Sequence, residues 1–483
     1  MSSETVVEAD TIAALATPRG RAALAVVRLS GPQAVDVADH CLVGPELAAA
    51  DSHTAHVGFF RGPDGEEEID RVVATVFRAP RSATGEDVVE LSCHGGDFAP
   101  QLILERLYEG GARPAEPGEF TQRGFLNGKM DLAQAEAVAD LIDATSRAAH
   151  RASMKHLKGR YSDRLSDLRE ELLELCAFIE LELDFSDEDV DFADEERLTE
   201  LLDEAETLLA DLIGSYATGE KLRDGVRVVI GGRPNAGKST LLNALVGDER
   251  AITSETPGTT RDRVEADAHL GGVRFRFTDT AGEIEAEGVR RAEAAIGKAD
   301  VLLYLYDLAD GLTDAERAFL DEHVSASSAA AGDGASAAGD GASPNAALLV
   351  GNKADLLENE RSEAAFPGDT PPADLPRVTL SALHAQRDTD RLVPVTNFLR
   401  ETVAGDLSRA EHSPVVMNRR HRRHLRQARA AVARAQDALA GGLSGDLLAM
   451  DLREALDEIG RITGAVTNED VLDQIFSRFC IGK

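Results

Sequence analysis

The segment Gly232-Arg-Pro-Asn-Ala-Gly237-Lys238-Ser239 constrains this chain more than any other. It follows a strand-like run, Val226–Ile230, and precedes an apolar helical pattern at Leu241, Leu242, Ala244 and Leu245. Strand, glycine-rich loop and helix in that order form a phosphate-binding loop. The glycines let backbone N–H groups wrap phosphate, Lys238 reaches the β and γ oxygens, and Ser239 can ligate Mg²⁺. Such a loop requires a parallel sheet with covering helices. Three further strand-like runs, Val273–Thr278, Val301–Tyr306 and Ala346–Val350, are separated by helix-length segments and supply one. The expected α/β domain covers residues 224–402, with a low-complexity insertion at 325–346 in which AGDGAS occurs twice.

Base specificity comes from later segments. Asp279-Thr280-Ala281-Gly282 ends a strand, where a carboxylate can hold Mg²⁺ through water and a glycine N–H can meet a γ-phosphate. Asn352-Lys353-Ala354-Asp355 ends another. A carboxylate there accepts from both N1–H and the exocyclic amine of guanine, a pair of donors that adenine lacks. Ser381-Ala382-Leu383 stands where a contact to guanine O6 is expected. The ligand read from these motifs is GTP. Its expected contacts are Asn235, Ala236, Gly237, Lys238, Ser239 and Thr240 in the loop, and Ser254, Glu255, Thr256, Pro257, Gly258, Thr259 and Thr260 in a switch segment. Asp279–Gly282, Asn352–Asp355 and Ser381–Leu383 complete the set, with Lys238 also catalytic. A switch threonine that binds Mg²⁺ only beside a γ-phosphate makes an order–disorder device.

The flanks differ in kind. Residues 1–125 alternate short apolar runs (Ala22–Leu29, Arg71–Phe77, Asp87–Ser92) with turn residues, and read as an α+β domain. From Asp131 the apolar spacing becomes helical at Leu132, Ala135, Val138, Ala139 and Ile142, and it continues through Leu165–Leu183 and Leu198–Ile213. Helical patterning returns near Glu401. Two helical blocks, 126–223 and 403–483, around the α/β unit suggest one helical domain with that unit inserted into it. The expected fold is therefore multi-domain, α/β and α+β.

Charge bears on partners. With 51 Lys plus Arg against 86 Asp plus Glu, the net charge is −35, which argues against sequence-blind duplex DNA or anionic-membrane binding. Acidity of this degree, without Trp, suits concentrated KCl, where screening suppresses self-repulsion. The one basic stretch has seven Arg between Arg419 and Arg434, with no acid from Val415 to Gln436. It can meet nucleic-acid phosphate or a partner, or pair with the acidic helices of 161–210. No apolar run reaches membrane-spanning length, and Cys41, Cys93, Cys176 and Cys480 have neither disulfide-framework nor zinc spacing. A cytoplasmic location is expected.

The flanks also carry a resemblance. Asp10–Pro32, Thr84–Gly96 (TGEDVVELSCHGG), Pro117–Asp143 and the terminal Phe476–Lys483 (FSRFCIGK), together with the nucleotide motifs, resemble the MnmE (TrmE) family of tRNA modification GTPases across nearly the whole chain. The resemblance implies an amino-terminal folate-binding domain through which the chain forms a homodimer. It also implies an FAD-binding partner, MnmG (GidA), in a heterotetramer. The reaction would add an aminomethyl or carboxymethylaminomethyl group at C5 of the wobble uridine of tRNA. A tetrahydrofolate, 5-formyl or 5,10-methylene, would supply the one-carbon unit. Folate contacts carried over by position are Arg28, Glu90, Lys129 and Lys483. The resemblance further implies K⁺ activation through Asn235, Ser254, Thr256 and Thr259, and Mg²⁺ held by Ser239 and Thr260.

Two assignments leave alternatives, the catalytic glutamate and Cys480. The family keeps a catalytic glutamate several residues after its DTAG motif, but here Glu283-Ile-Glu285-Ala-Glu-Gly288 follows directly, as though about six residues were deleted. Counting back from Gly288 favours Glu285; counting forward from Gly282 gives Glu283. Cys480, on an expected flexible tail, is either a nucleophile toward the pyrimidine or a small residue packing beside the folate pocket. His94 reads as a turn residue. A different class of function is an RNA- or ribosome-binding assembly GTPase, although no KH-like module is found in either flank.

Overall fold

The computed structural model describes residues 10–63, 65, 67–184, 195–247, 264–279, 295–324, 346–357, 375–413, 415–441 and 445–483. The chain divides into two compact units. The first comprises Met1–Ala139, His156–Phe192 and Gly445–Lys483; the second comprises Asp140–Lys155 and Ala193–Ser444.

In the first unit, strands β1 (Ile12–Leu15), β2 (Leu24–Ser30), β3 (Leu42–Val43), β4 (Thr54–Arg61), β5 (Glu68–Phe77), β6 (Val88–His94) and β7 (Arg113–Pro114) form one sheet in the order β3-β4-β5-β6-β2-β1-β7. Period-two alternation decides its faces. Ala25, Val27 and Leu29 of β2 are buried against Val35 and Ala38 of helix Ala34–Cys41 and Ile103 and Leu107 of helix Ala99–Glu109. Arg28 therefore points to the opposite face, where the antiparallel register sets it beside Glu90 of β6. Helix Arg160–Asp184 packs on helix Gly445–Thr463 in this unit. Leu472, Ile475 and Phe476 of helix Glu469–Phe476 bury against Leu132 and Ala135.

The last residues are held, which corrects the expectation of a flexible tail around Cys480. Gly118 N–H donates to the Cys480 carbonyl at 3.3 Å, and Ile481 makes an antiparallel bridge with Pro117. Gly482 has φ +93°, and a Cβ there would stand 2.3 Å from the Leu15 carbonyl oxygen. Only glycine fits so close to β1 in that conformation.

In the second unit, β8 (Val226–Gly232), β9 (Val264–Leu270), β10 (Val273–Asp279), β11 (Val301–Asp307), β12 (Ala346–Asn352) and β13 (Arg377–Thr379) lie in the order β13-β12-β11-β8-β10-β9. All pairs are parallel except β9 with β10. The centre of a parallel sheet is covered on both faces, so β11 reads as a continuous apolar run, with Val301–Tyr306 all buried. Each such side chain contributes about 1.5–3 kcal/mol of burial. The sheet thereby fixes the carboxyl ends of β8, β10 and β12, where the motif residues sit. Helix Glu195–Gly214 packs on helix Arg419–Ala440 in this unit. The helical segments expected to form one domain are thus shared between the two compact units.

Candidate nucleotide site

The loop after β8 turns because of local backbone geometry. Gly232 (φ +135°) runs so near β11 that a Cβ would lie 2.1 Å from the Leu305 carbonyl oxygen. Asn235 (φ 63°) and Gly237 (φ 99°) are both left-handed, which turns successive N–H groups toward the loop's interior at the start of helix Lys238–Val246. Lys238 is buried, and its Nζ donates to the carbonyls of Gly232 (2.9 Å) and Arg233 (3.0 Å). Burial holds its amine below the usual lysine range, against the opposing pull of Asp279.

Asp279, at the end of β10, accepts a 2.7 Å hydrogen bond from Ser239 Oγ through Oδ2. Its other oxygen, Oδ1, is buried with no hydrogen-bond partner. A hydroxyl beside a carboxylate with one free buried oxygen is hard-donor chemistry, and it fits Mg²⁺ held partly through water. Asn352, at the end of β12, donates from Nδ2 to the Ala236 carbonyl (2.7 Å) and accepts at Oδ1 from Ala382 N–H (2.8 Å). Lys353 (φ 66°) reaches Asp307 Oδ2 at 2.8 Å. Ser381 caps the short helix Ala382–Ala385 by accepting from His384 N–H.

These ends enclose a pocket of about 730 Å³ lined by Pro234, Asn235, Gly237, Lys238, Ser239, Thr240, Asp279, Asn352, Lys353, Asp355, Leu356 and Leu383. Ala236 and Ala382 act through backbone groups on Asn352, while Ala354 ties to Leu380 through its N–H. Leu356 was not singled out from sequence. It is 66% exposed and Leu383 59%, so two apolar side chains face the pocket where a planar base can lie. The signal was an apolar residue immediately after Asp355. Ser254–Thr260, Thr280, Ala281, Gly282, Glu283 and Glu285 lie outside the described residues.

In the first unit, Arg28 donates from Nε to Glu90 Oε1 at 2.9 Å and from Nη1 to the Gly482 carbonyl at 3.4 Å. Its guanidinium lies 5.6 Å over the Phe120 ring. The β2–β6 register and the held terminus bring Arg28, Glu90 and the Gly482–Lys483 backbone together. Lys129 is elsewhere bound, donating to the Pro80 carbonyl at 2.7 Å. Cys480 is exposed, and His94 is the last residue of β6 rather than the turn residue expected, its exposed ring pairing through Nδ1 with Asp70 at 2.6 Å. Among the described residues, no cluster of three or more His, Cys, Asp or Glu could hold a metal ion, and no helix is long and apolar enough to cross a membrane.

Comparison with known proteins bears on both units. Residues 132–480 match the MnmE helical domain family, and residues 11–129 match the GTP-binding protein TrmE N-terminus family. The tRNA modification GTPase MnmE of Salinibacter ruber is 62% identical over 485 residues, covering 99% of this chain and all of the relative. The chain belongs to the MnmE family of tRNA modification GTPases. The MnmE of Cytophaga hutchinsonii is 41% identical over the full length of both chains. A crystal structure of Aquifex aeolicus Era bound to GDP·AlF4⁻ is 24% identical, covering 36% of this chain and 56% of that one, with a TM-score of 0.24. As an MnmE-family GTPase, this chain is an enzyme of the acid-anhydride hydrolase class. Its architecture is that family's: an amino-terminal α+β domain, helical segments, and a P-loop GTPase fold set between them.

Proposed function

We propose that this chain is a K⁺-activated GTPase that works with an FAD-binding MnmG (GidA) partner on the wobble uridine of tRNA. A tetrahydrofolate would provide the carbon added at C5. In this reading residues 1–125 form the folate-binding and dimerisation domain, 126–223 with 403–483 the helical domain, and 224–402 the G domain, in a cytoplasmic homodimer. The single observation that carries it is the docking of the Gly482 carbonyl onto Arg28, beside Glu90, in a chain that also holds a complete set of guanine-nucleotide motifs. A guanidinium suits the glutamate tail of folate, and a carboxylate suits the donor edge of a pterin.

On GTP binding, Lys238 exchanges its two loop carbonyls for phosphate oxygens. The N–H groups from Asn235 to Ser239 surround the β-phosphate, Asp355 accepts from the guanine edge, and Ser239 and Asp279 would hold Mg²⁺, which would offset phosphate charge. Glu285 orients the water whose oxygen bonds to the γ-phosphorus as the bond to the β–γ bridging oxygen breaks, releasing GDP and phosphate. Asn235 with Ser254, Thr256 and Thr259 would hold K⁺, which would supply positive charge to offset the negative charge developing on the phosphates. Thr260 would be a further Mg²⁺ ligand.

Calorimetric titration of 5-formyltetrahydrofolate into the purified protein in concentrated KCl tests the reading. One site per chain, lost in Arg28→Ala, is expected. Absence of binding in a folded dimer would overturn the one-carbon role and favour an RNA-assembly GTPase.

A further inference from the structure

The basic helix Arg419–Ala440 is divided in its pairing. Its second half is neutralised by the acidic helix Glu195–Gly214: Arg429 bonds Glu206 through Nε at 2.8 Å, and Gln436 bonds Asp203 at 2.7 Å. In the first half, Arg422, Arg423 and Arg426 have no such carboxylate partner among the described residues. Tyr216, Glu220, Arg419, Arg422, Arg423 and Arg426 line a pocket of about 470 Å³. Only one of those six residues is a carboxylate. One oxygen of Glu220 serves both Arg419 and the Tyr216 hydroxyl, each at 3.3 Å.

The remaining guanidiniums are held ready rather than consumed. Arg422 lies 4.4 Å over the Tyr216 ring, which keeps its planar head in place without an anion, and its Nε is buried with no hydrogen-bond partner. Arg423 and Arg426 are exposed and make no ion pair with any described residue. The pocket thus holds four arginines against one acid, in a chain of net charge −35.

We propose that this pocket is a docking site for the phosphodiester backbone of tRNA, with Arg422, Arg423 and Arg426 as its ligands to phosphate. The inference rests on the reading of the chain as acting on tRNA, and it adds where the RNA is gripped. Planar forks suit phosphate bidentately, and backbone contacts position a nucleic acid without reading its sequence. The acidic surround then rejects RNA that does not place a phosphate there.

The test measures tRNA affinity of the full chain across a KCl series, for wild type, Arg423→Gln with Arg426→Gln, and Arg429→Gln as a single-charge change outside the pocket. The double variant is expected to bind at least about ten-fold more weakly, with a log–log salt slope shallower by about 1–2. Arg423→Lys with Arg426→Lys should recover part of the loss, and Arg429→Gln should stay near wild type. In wild type, tRNA should also protect Arg423 and Arg426 from phenylglyoxal, a readout that does not depend on any variant folding. A wild type that binds tRNA while the double variant matches it in affinity and slope, or an absence of protection, overturns the pocket alone. A wild type that fails to bind tRNA removes the partner reading and this occupant with it.

Discussion

Asn352 Nδ2 donates to the carbonyl of Ala236, 2.7 Å away and 116 positions earlier in the chain. Its Oδ1 accepts from Ala382 N–H at 2.8 Å, so one buried amide joins the phosphate loop to the segment facing the base. Asn352→Ala leaves a carbonyl and an N–H unsatisfied, each costing about 1–3 kcal/mol. We expect GDP affinity to fall about ten-fold or more. Titration of a fluorescent GDP analogue checks this, and an unchanged Kd would mean that the two loops are held independently.

Asp355 lines the same pocket, beside Leu356 and Leu383. Replacing its two acceptor oxygens by an amide in Asp355→Asn removes one charge-assisted hydrogen bond and adds a donor. At about 1.5–3 kcal/mol for such a bond, GTP affinity should drop about 10–100-fold. Xanthosine triphosphate, whose exocyclic oxygen can accept from the new amide, should bind better to the variant than GTP does. Competition between the two nucleotides reads this directly.

The strands of the GTPase sheet were legible from their apolar runs, yet each extends beyond its run. β8 continues to Gly232, β10 to Asp279 and β12 to Asn352. Those end residues are glycine or polar and look like loop in one dimension, but the parallel ladder still pairs Asp279 with Ile230 and Asn352 with Asp307. β9 (VEADAHL) was missed because its alternation is mostly of polar and small residues; pairing with β10 supplies what propensity does not. The site's residue types were readable from motifs. The double role of Asn352 and the parking of Lys238 on loop carbonyls depend on three-dimensional closure, which spacing cannot reveal.

The two candidate glutamates are separable by rate. A positioned carboxylate contributes about 10²–10⁴-fold, so Glu285→Ala should lower K⁺-stimulated turnover by at least about 100-fold. Glu283→Ala should lose much less. Full turnover in both variants would place the water-orienting group outside this segment.

Gly482 sits where a side chain cannot. Gly482→Ala puts a Cβ 2.3 Å from the Leu15 carbonyl oxygen at φ +93°, so the terminus must lift away from β1 and give up the contact to Arg28. The rest of the unit does not depend on that residue. We expect 5-formyltetrahydrofolate affinity to fall about ten-fold or more, with a thermal midpoint within a few degrees of wild type. Retained affinity would show that the tail is not part of the folate site.

Arg123, nearly fully buried in the first unit, is held by Asp10 (2.6 Å), Glu119 (2.9 Å) and Glu86 (3.2 Å). Burial pushes the Asp10 and Glu119 carboxyls up, but hydrogen bonds outweigh it: from Arg113 and Arg123 at Asp10, and from Arg113, Glu116 N–H and Arg123 at Glu119. Both carboxyls therefore lie below their usual ranges. A carboxyl lowered in the folded state stabilises above its unfolded pKa and loses that contribution as pH falls through the folded value. Stability of this unit should therefore be level near neutrality and decline below about pH 4.5. Glu119→Gln removes the Glu119 contribution, costing about 1–3 kcal/mol at pH 7. Denaturant unfolding at pH 7, 5, 4 and 3 should show the gap between variant and wild type closing as Glu119 of the wild type protonates. A gap constant across that range would mean that Glu119 acts through packing and not through its charge.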